Sequence, residues 1–370
     1  MAGQFGISII IDSYNHQRFV AATIESALSQ DHDRVQVIVI DDGSPDGSRK
    51  IVESFGSKIQ AVFQENQGQV AACRNVLPLA KHDIVIILDS DDCLDRDAAR
   101  VIAAAWRQGV AKIQYSLRVT DEHGNAVGSI FPRYSRTLTP EAVRAETLRT
   151  GSYPDSPTSG NAFNRHFLET ALPLLPRRNG LDGELNGIAP LYGDVLTIAE
   201  PLGSYRIHGD NDFSQNRLAV DRFEHYLKHS EQRLAFVREH YRSKGFTIEP
   251  DALDNDVKYL EYRLVTERLG GASTGRAPRL WEAARLTIRA AWRSPHALSQ
   301  RLLRIGWVCA VAVLPTRLAT FLTEQRFVPS KRLNWIKHLT GLRTAFRKKP
   351  SVLSKTAQDL DRSDPSSSHV

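Results

Sequence analysis

Residues 83–92, DIVIILDSDD, decide the fold: five apolar residues in a row are followed by a polar group with three carboxylates. Three earlier segments repeat this design, with short, mainly apolar runs rich in β-branched residues at 7–11, 35–40 and 59–63. Runs of this kind are typical of strands that are buried on both faces of a parallel sheet.

Helical patterns separate these strands. The apolar residues of segment 19–30, FVAATIESALSQ, recur at helical spacing and form one face. Segments 48–55 and 69–80 are predicted to be further helices. The alternation of strand and helix predicts an α/β protein with a doubly wound, mostly parallel, Rossmann-like sheet, followed by an α-helical C-terminal region.

Acids and amides follow every predicted strand. In a doubly wound sheet, ligands bind beyond the carboxyl ends of the strands. The segment DDGSPDGS at 41–48 consists of turn formers, which favours an ordinary turn. Three carboxylates within residues 89–92 instead need a compensating cation or shared protons. Hard cations such as Mg²⁺ or Mn²⁺ prefer such oxygen ligands.

Several protein classes are excluded. The chain has 370 residues, of which 41% are hydrophobic and 24% charged, which excludes collagen, full disorder and a polytopic membrane protein. Three cysteines without a CxxC pair exclude a disulfide scaffold and a cysteine zinc site. A P-loop and a GxGxxG fingerprint are absent from the sequence. The N-terminus has no basic stretch ahead of its apolar run, so we expect no secretory signal and a cytoplasmic location.

The net charge of +6 combines two opposed parts. Residues 276–350 contain 16 Lys and Arg against two acids, a local charge of +14. The rest of the chain carries 32 bases and 40 acids, a charge of −8. Such asymmetry suggests a slightly acidic body and a separate basic region at 216–350. The Ser- and Asp-rich segment 351–370 is predicted to be disordered.

The basic region contains a pattern of interfacial membrane helices. One helical face of segment 280–293 gathers Trp281, Ala284, Ile288, Ala291 and Trp292, and the adjoining face carries Arg285, Arg289 and Arg293. The uncharged run 305–314 is too short to span a bilayer. We expect 276–350 to bind an anionic membrane surface, peripherally on the inner face of the plasma membrane. The alternative is a helical subdomain that packs on the body or on a dimer partner, and the oligomeric state stays open.

Four segments of the N-terminal part occur in a characteristic order. They are ISIIIDSYN at 7–15, VQVIVIDDGSPDGS at 35–48, Asn66-Gln67-Gly68 with Arg74-Asn75, and DIVIILDSDD at 83–92. This order and spacing resemble the nucleotide-sugar half of a family-2 glycosyltransferase with the GT-A fold. PTSGNAF at 157–163 and PLGSYRIH at 201–208 resemble segments of the acceptor half. The resemblance covers about residues 5–215 and implies a catalytic domain at 1–215, with a nucleotide-sugar half at 1–110 and an acceptor half at 111–215.

The resemblance also implies a donor and a cofactor, namely a nucleotide-diphosphate sugar and Mn²⁺ or Mg²⁺. The implied donor-binding residues are Asp12, Ser13, Tyr14, Asn15, Asp42, Asn66, Arg74, Ser159, Gly160, Asn161 and Arg206. Carboxylates suit contacts to a base and a ribose because they accept hydrogen bonds from N–H and hydroxyl groups. For Arg74, an ordinary helix-surface arginine is an equal alternative.

The implied metal site is the DSD motif. Asp89 and Asp91 would hold the cation beside Asp92, and His208 would complete the site. Which of Asp91 and Asp92 is the direct ligand stays open.

An inverting transfer needs a base that takes the proton of the acceptor hydroxyl. Asp182 matches this position best, although Leu181 stands where the family usually has a second acid. Glu184 and Asp194 are the other candidates, and a helix cap is the alternative role for Asp182.

The sequence therefore predicts an inverting, metal-dependent glycosyltransferase. Its acceptor would be a glycan or a lipid-linked glycan in the synthesis of cell-surface polysaccharide or lipopolysaccharide. The alternative is a non-catalytic nucleotide-sugar-binding protein with a tail that binds a membrane surface or a partner. Nucleic-acid binding is not expected, because the basic region matches no nucleic-acid module.

Overall fold

The computed structural model describes residues 5–134, 138–176, 181–209, 218–270, 276–294, 298–328 and 331. The four apolar runs of the N-terminal part are strands, as predicted. The strands are β1 (Ile7–Ser13), β2 (Val35–Asp41), β3 (Gln60–Phe63), β4 (Ile84–Asp89), β5 (Cys93–Leu94), β6 (Val110–Thr120), β7 (Ala126–Phe131), β8 (Asn161–Asn164) and β9 (Asp194–Arg206).

Helices fill the connections and form the C-terminal part. They are α1 (Val20–Leu28), α2 (Ser48–Ser54), α3 (Gln69–Val76), α4 (Ala98–Ala105), α5 (Pro140–Thr150), α6 (Arg165–Ala171), α7 (Leu181–Ile188), α8 (Val220–Ser243), α9 (Ala252–Asn255), α10 (Val257–Leu269), α11 (Arg276–Arg293), α12 (Leu298–Val313) and α13 (Thr316–Phe327). The predicted helix at 69–80 ends four residues early, because Pro78 follows and a short 3₁₀ turn takes over.

One sheet contains all nine strands of the described residues. Its order is β3-β2-β1-β4-β8-β6-β9-β5, and β7 pairs with β6 beside this path. Six strands, β1 to β4, β6 and β9, run in one direction, while β5, β7 and β8 run in the other. The α/β prediction is confirmed, and the sheet is mixed beyond β4.

Strand β4 lies inside the sheet, and this position explains its apolar sequence. Residues 84–88 have no exposed surface, and their side chains alternate between two cores. Val85 and Ile87 join the core on one face, while Ile84, Ile86 and Leu88 join the core on the other. Burying each such side chain contributes about 1.5–3 kcal/mol, so a single polar residue in the run would destabilise the sheet.

The carboxyl ends of the codirectional strands lie at one edge of the sheet. There β1 pairs with both neighbours, Asp12 standing beside Asp89 of β4 and Ser13 beside Asp41 of β2. Strand β9 ends at Arg206 at the same edge, because it runs parallel to β6. Asp194, at the beginning of β9, lies at the opposite edge. This topology gathers most of the predicted site residues in one place.

The helical region packs on the body and on itself. Leu234, Val237 and Tyr241 of α8 join the core that contains Leu185 and Ile188 of α7. Helices α10 to α13 enclose a third core, apart from the two that cover the sheet. None of the described helices combines the length and the apolarity that crossing a bilayer requires.

The apolar face of α11 divides into buried small residues and exposed tryptophans. Ala284 and Ala291 are buried, whereas the side chains of Trp281 and Trp292 are exposed. The reason is that α11 packs against both α10 and α12, so its small residues form the contacts and its tryptophans lie at the margin.

The described residues belong to a single compact unit, Met1–Leu333. Residues 332–350 of the basic segment and the predicted disordered tail at 351–370 lie outside the described residues. The proposed domain limits at 215 and 350 stay predictions.

Candidate active site

Three carboxylates lie at the carboxyl end of β4, of which Asp91 and Asp92 are buried and Asp89 is partly buried. One oxygen from each of Asp89, Asp91 and Asp92 lies within 4.8 Å of the others. Burial raises the pKa of Asp89 and of Asp92 well above the usual range, and the charges of the neighbouring carboxylates raise both further. The cluster is therefore unfavourable in its fully ionised form unless a cation compensates it.

Protein donors satisfy part of this cluster. Gln69 Nε2 donates to Asp89 Oδ1 at 2.8 Å, and the backbone N–H of Arg206 donates to Asp92 Oδ1 at 2.8 Å. Among the described residues, no group forms a hydrogen bond with the buried Asp92 Oδ2. An oxygen-rich donor set with a buried, unsatisfied oxygen fits a divalent cation.

His208 follows β9 and contacts this cluster as predicted. Its side chain is 2% exposed, and its Nε2 lies 2.9 Å from Asp91 Oδ2. The ring of Phe19 packs against His208, with centroids 4.7 Å apart. Asp91 is thus the carboxylate that faces the histidine, whereas Asp92 faces the backbone of β9.

A cavity of about 190 Å³ opens beside β1 and β2. It is lined by Asp12, Ser13, Tyr14, Asp42, Asn66, Gly68, Gln69 and Ala72. Five of the predicted donor-binding residues therefore line one cavity. Asn15 lies next to it in the loop after β1, where its φ of 58° bends the chain.

Asp12 is the buried acid of this cavity. Burial raises its pKa to about 7, and the charges of Asp91 and Asp42 add to the effect. Among the described residues, its Oδ1 has no hydrogen-bond partner. A carboxyl group with one unsatisfied oxygen suits a ligand that brings its own N–H or hydroxyl group.

Asp42 holds the neighbouring loop in place. Its Oδ1 accepts from Gln64 Nε2 at 2.6 Å and from the backbone N–H of Gln67 at 2.9 Å, and its Oδ2 accepts from the N–H of Gly68 at 2.8 Å. The carboxylate thus shapes the cavity wall as well as lining it.

The turn interpretation of DDGSPDGS is confirmed. The backbone N–H of Ser44 donates to Asp41 Oδ1, and that of Ser48 donates to Asp46 Oδ1. The same turn anchors the loop after β1, because Ser44 Oγ accepts from the N–H of Asn15 at 3.0 Å.

Ser159, Gly160 and Asn161 lie behind the acid cluster rather than along the cavity. Ser159 Oγ accepts from the N–H of Asp89 at 3.1 Å, and Asn161 Nδ2 donates to the carbonyl of Pro157 at 2.7 Å. A Cβ atom on Gly160 would lie 2.9 Å from the carbonyl oxygen of Tyr115, so only glycine fits. These residues brace the end of β4.

The two predicted donor-binding arginines point elsewhere. Arg74 lies in the last turn of α3 and donates to the carbonyl of Leu172 at 2.8 Å, outside the lining of the cavity. The Arg206 guanidinium lies over the ring of Phe19, 4.9 Å from its centroid. A role for either in binding the donor stays a prediction.

Asp182 lies in the first turn of α7. It is close enough to Asp89 that its charge raises the pKa of that carboxyl. Burial raises the pKa of Asp182 itself, with a further contribution from Asp155. Of the two other candidates, Glu184 is buried on α7, and Asp194 pairs with Arg107 at 2.8 Å at the far edge of the sheet.

A polar network that sequence reasoning missed lies behind Asp182. The fully buried Lys112 donates from Nζ to Asn186 Oδ1 at 2.6 Å, and Asn186 Nδ2 donates to Asp155 Oδ2 at 3.1 Å. Burial lowers the pKa of Lys112 to about 7. Lys112 lies within the mainly buried strand β6. Apart from the lysine, no motif in the sequence indicates this network.

His16 and Gln69 also belong to the site and were missed. His16 Nδ1 lies 2.7 Å from Ser90 Oγ, inside the DSD motif. Both could have been predicted from their positions in the sequence. His16 directly follows the motif at the end of β1, and Gln69 directly follows Asn66-Gln67-Gly68.

The fold and the site agree with the α/β architecture that the resemblance to family-2 glycosyltransferases implies. Residues 8–162 match the family model described as glycosyl transferase family 2. The resemblance to this family noted in the sequence is confirmed over this part of the chain.

Known relatives carry the same activity in their names. An uncharacterized glycosyltransferase of Nostoc sp. (strain PCC 7120) is 32% identical over 216 residues, which cover 56% of this chain and 66% of that protein. The putative glycosyltransferase EpsH of Bacillus subtilis (strain 168) is 29% identical over 259 residues, covering 66% and 73%. The chain thus spans just under two thirds of the length of the Nostoc protein.

Among solved structures, the chain is similar to residues 1–349 of S. aureus TarS in complex with UDP-GlcNAc. The TM-score is 0.45 at 15% identity, covering 87% of this chain and 91% of that one.

Proposed function

We propose that this glycosyltransferase transfers a sugar, with inversion, from a nucleotide-diphosphate donor to a glycan or lipid-linked acceptor. The reaction would depend on Mn²⁺ or Mg²⁺ and would serve the synthesis of cell-surface polysaccharide or lipopolysaccharide. The observation that carries the proposal is the cavity at the carboxyl edge of the sheet, which adjoins a cluster of three carboxylates.

The cavity residues would bind the nucleoside. Asp12 and Asp42 present acceptors, and the half-exposed ring of Tyr14 offers a stacking surface for a base. The loops around Asp12 and Asp42 orient their carboxyl groups, so these side chains lose little conformational entropy when the donor binds.

The acid cluster would face the diphosphate. Asp91, with Asp89, Asp92 and His208 beside it, has the donor set for a divalent cation. When bound, such a cation neutralises the charge that develops on the leaving nucleoside diphosphate. Without it, carboxylates would repel the diphosphate.

Asp182 would act as the base. A carboxyl group whose pKa is raised by burial accepts a proton more readily than an exposed aspartate does. The network of Lys112, Asn186 and Asp155 keeps the wall behind it rigid.

A donor screen tests the proposal. Purified protein is incubated with individual nucleotide sugars and Mn²⁺ or Mg²⁺, and release of nucleoside diphosphate is measured, with Asp91→Ala as the control. We expect release with one donor, only with metal, and none in the variant. Equal release by the variant would refute the role of the cluster. NMR of the anomeric proton of the product tests inversion.

The alternative function is binding without catalysis, which the leucine at position 181 favours. Calorimetry separates the two. Micromolar binding of a nucleotide sugar without turnover on any acceptor would support the alternative, whereas turnover excludes it.

We further propose that the C-terminal helices bind an anionic membrane surface. Trp281 and Trp292 of α11 are 56% and 54% exposed, and Leu298 and Leu302 of α12 are 58% and 53% exposed. Arg285 lies exposed between the two tryptophans, one turn after Trp281. Exposed aromatic and aliphatic side chains with arginines fit a lipid surface with negative headgroups.

Vesicle sedimentation tests this location. The double variant Trp281→Ser/Trp292→Ser should lose binding to vesicles that contain phosphatidylglycerol, while Trp106→Phe, in the buried core, should keep it. Binding that is equally strong to neutral vesicles, or unaffected by the double variant, would refute the proposal.

A further inference from the structure

Four hydrogen bonds fix the position of His16 beside the DSD motif. Its backbone N–H donates to Ser48 Oγ at 3.1 Å, and the backbone N–H groups of Phe19 and Val20 donate to its carbonyl oxygen. Its ring nitrogen Nδ1 lies 2.7 Å from Ser90 Oγ, and Ser90 is 1% exposed. The position of this ring is therefore determined by the turn after β2, the start of α1 and the DSD motif.

The ring of His16 faces His208 and Asp91. The two imidazole centroids are 5.7 Å apart and the rings are nearly perpendicular, at 86°. One ligand atom from each of His16, Asp91 and His208 lies within 4.8 Å of the other two. Two atoms that bind one cation at about 2.1 Å lie about 3 Å apart when they subtend a right angle. The 2.9 Å between His208 Nε2 and Asp91 Oδ2 has this value.

Asp91 belongs to both ligand groups, the one with His16 and His208 and the acid cluster with Asp89 and Asp92. Gln69 donates to Asp89, and the backbone N–H of Arg206 donates to Oδ1 of Asp92, whose Oδ2 has no hydrogen-bond partner among the described residues. The Ser90 contact at Nδ1 of His16 is of the kind that orients a metal-bound histidine through its second nitrogen.

We propose that His16, Asp91 and His208 are the protein ligands of the divalent cation, with His16 coordinating through Nε2. This inference rests on the metal dependence proposed above. The ligand set of the cation would then consist of two imidazoles and one carboxylate instead of carboxylates alone. Mg²⁺ prefers oxygen ligands, whereas Mn²⁺ and the later first-row metals accept imidazole. The protein should therefore bind Mn²⁺ at least about 10-fold more tightly than Mg²⁺.

Pulsed electron paramagnetic resonance of Mn²⁺ bound to the full-length protein counts the ligating nitrogens. Wild-type protein should show ¹⁴N coupling from two imidazoles. His16→Phe should show one, with Mn²⁺ affinity reduced at least about 10-fold. His166→Phe, at a histidine whose side chain is 89% exposed on α6, should retain both.

Every other outcome contradicts either the ligand assignment or the metal dependence itself. Tight Mn²⁺ binding without ¹⁴N coupling in the wild type would assign the cation to the carboxylates alone and overturn this inference while leaving the metal dependence intact. Two imidazole couplings in His16→Phe would also overturn it. Absence of Mn²⁺ binding, with and without nucleoside diphosphate, would overturn the metal dependence itself. The wild-type spectrum decides the question even where His16→Phe fails to fold.

Discussion

Replacing Asp91 by asparagine should move the stability of the protein in opposite directions with and without metal. The substitution keeps the shape of the side chain and removes one of the clustered charges. Asp91 contributes to the raised pKa of Asp12, Asp89 and Asp92. In EDTA, the variant should therefore be more stable than the wild type.

The size of the effect follows from the geometry. Two full charges 4–5 Å apart repel by roughly 3–4 kcal/mol at an effective dielectric constant of 20. Burial and mutual repulsion raise the pKa of the neighbouring carboxyl groups, which reduces this repulsion, and the substitution weakens the 2.9 Å contact with His208, so about 1 kcal/mol should remain. In a chain of this size, that corresponds to an increase in Tm of about 1–3 °C.

Metal should reverse the order. At 100 times its Kd, Mn²⁺ stabilises the wild type by about 2.7 kcal/mol. Loss of a direct ligand should weaken binding at least about 100-fold, which leaves about 0.4 kcal/mol at the same concentration. Differential scanning calorimetry at pH 7.5, with EDTA or with Mn²⁺, measures both effects.

Asp31→Asn is the matched control. The Asp31 side chain is 63% exposed and pairs with Arg100 at 3.6 Å, outside both ligand groups. Its stability should change by less than about 0.5 kcal/mol, and its Mn²⁺ response should equal that of the wild type. The reasoning fails if Asp91→Asn is destabilised in EDTA and yet gains as much from Mn²⁺ as the wild type.

Three further predictions address the base, the support of the site and its pH dependence. Asp182→Asn should lower kcat by about 10²–10⁴-fold and leave the Kd for nucleoside diphosphate unchanged, whereas Asp194→Asn should stay active; equal losses in the two variants would contradict the assignment. Gly160→Ala should lower the free energy of unfolding by about 1–3 kcal/mol, because the new methyl group meets the carbonyl of Tyr115, and an unchanged melting curve would show that the turn yields. Since the pKa of Asp12 is raised to about 7, the protonated group stabilises the metal-free fold fully below about pH 4 and loses this contribution as the pH rises through 7. The gain in Tm from Mn²⁺ should grow over the same interval, and a gain that is independent of pH would count against metal binding at the acid cluster.

The strands of the N-terminal part were predictable because each is a short, mainly apolar run, and β4 is apolar throughout residues 84–88. A strand that is buried on both faces needs apolar residues at every position, and this leaves a local signal in the sequence. The cavity residues were predictable for a related reason, since parallel strands bring their carboxyl ends to one edge. Arg74 shows the limit, because its long side chain reaches Leu172 of another element.

The sequence by itself determined the α/β class, the edge at which the acids meet and the family. Those properties depend on local periodicity and on the order of motifs along the chain. Only the tertiary structure decided which side chains face one another: that His16 stands beside His208, that Lys112 supports the helix of Asp182, and that the tryptophans of α11 lie outside its core. These contacts join residues up to 192 positions apart (His16 and His208), and their directions depend on packing, which no local pattern records.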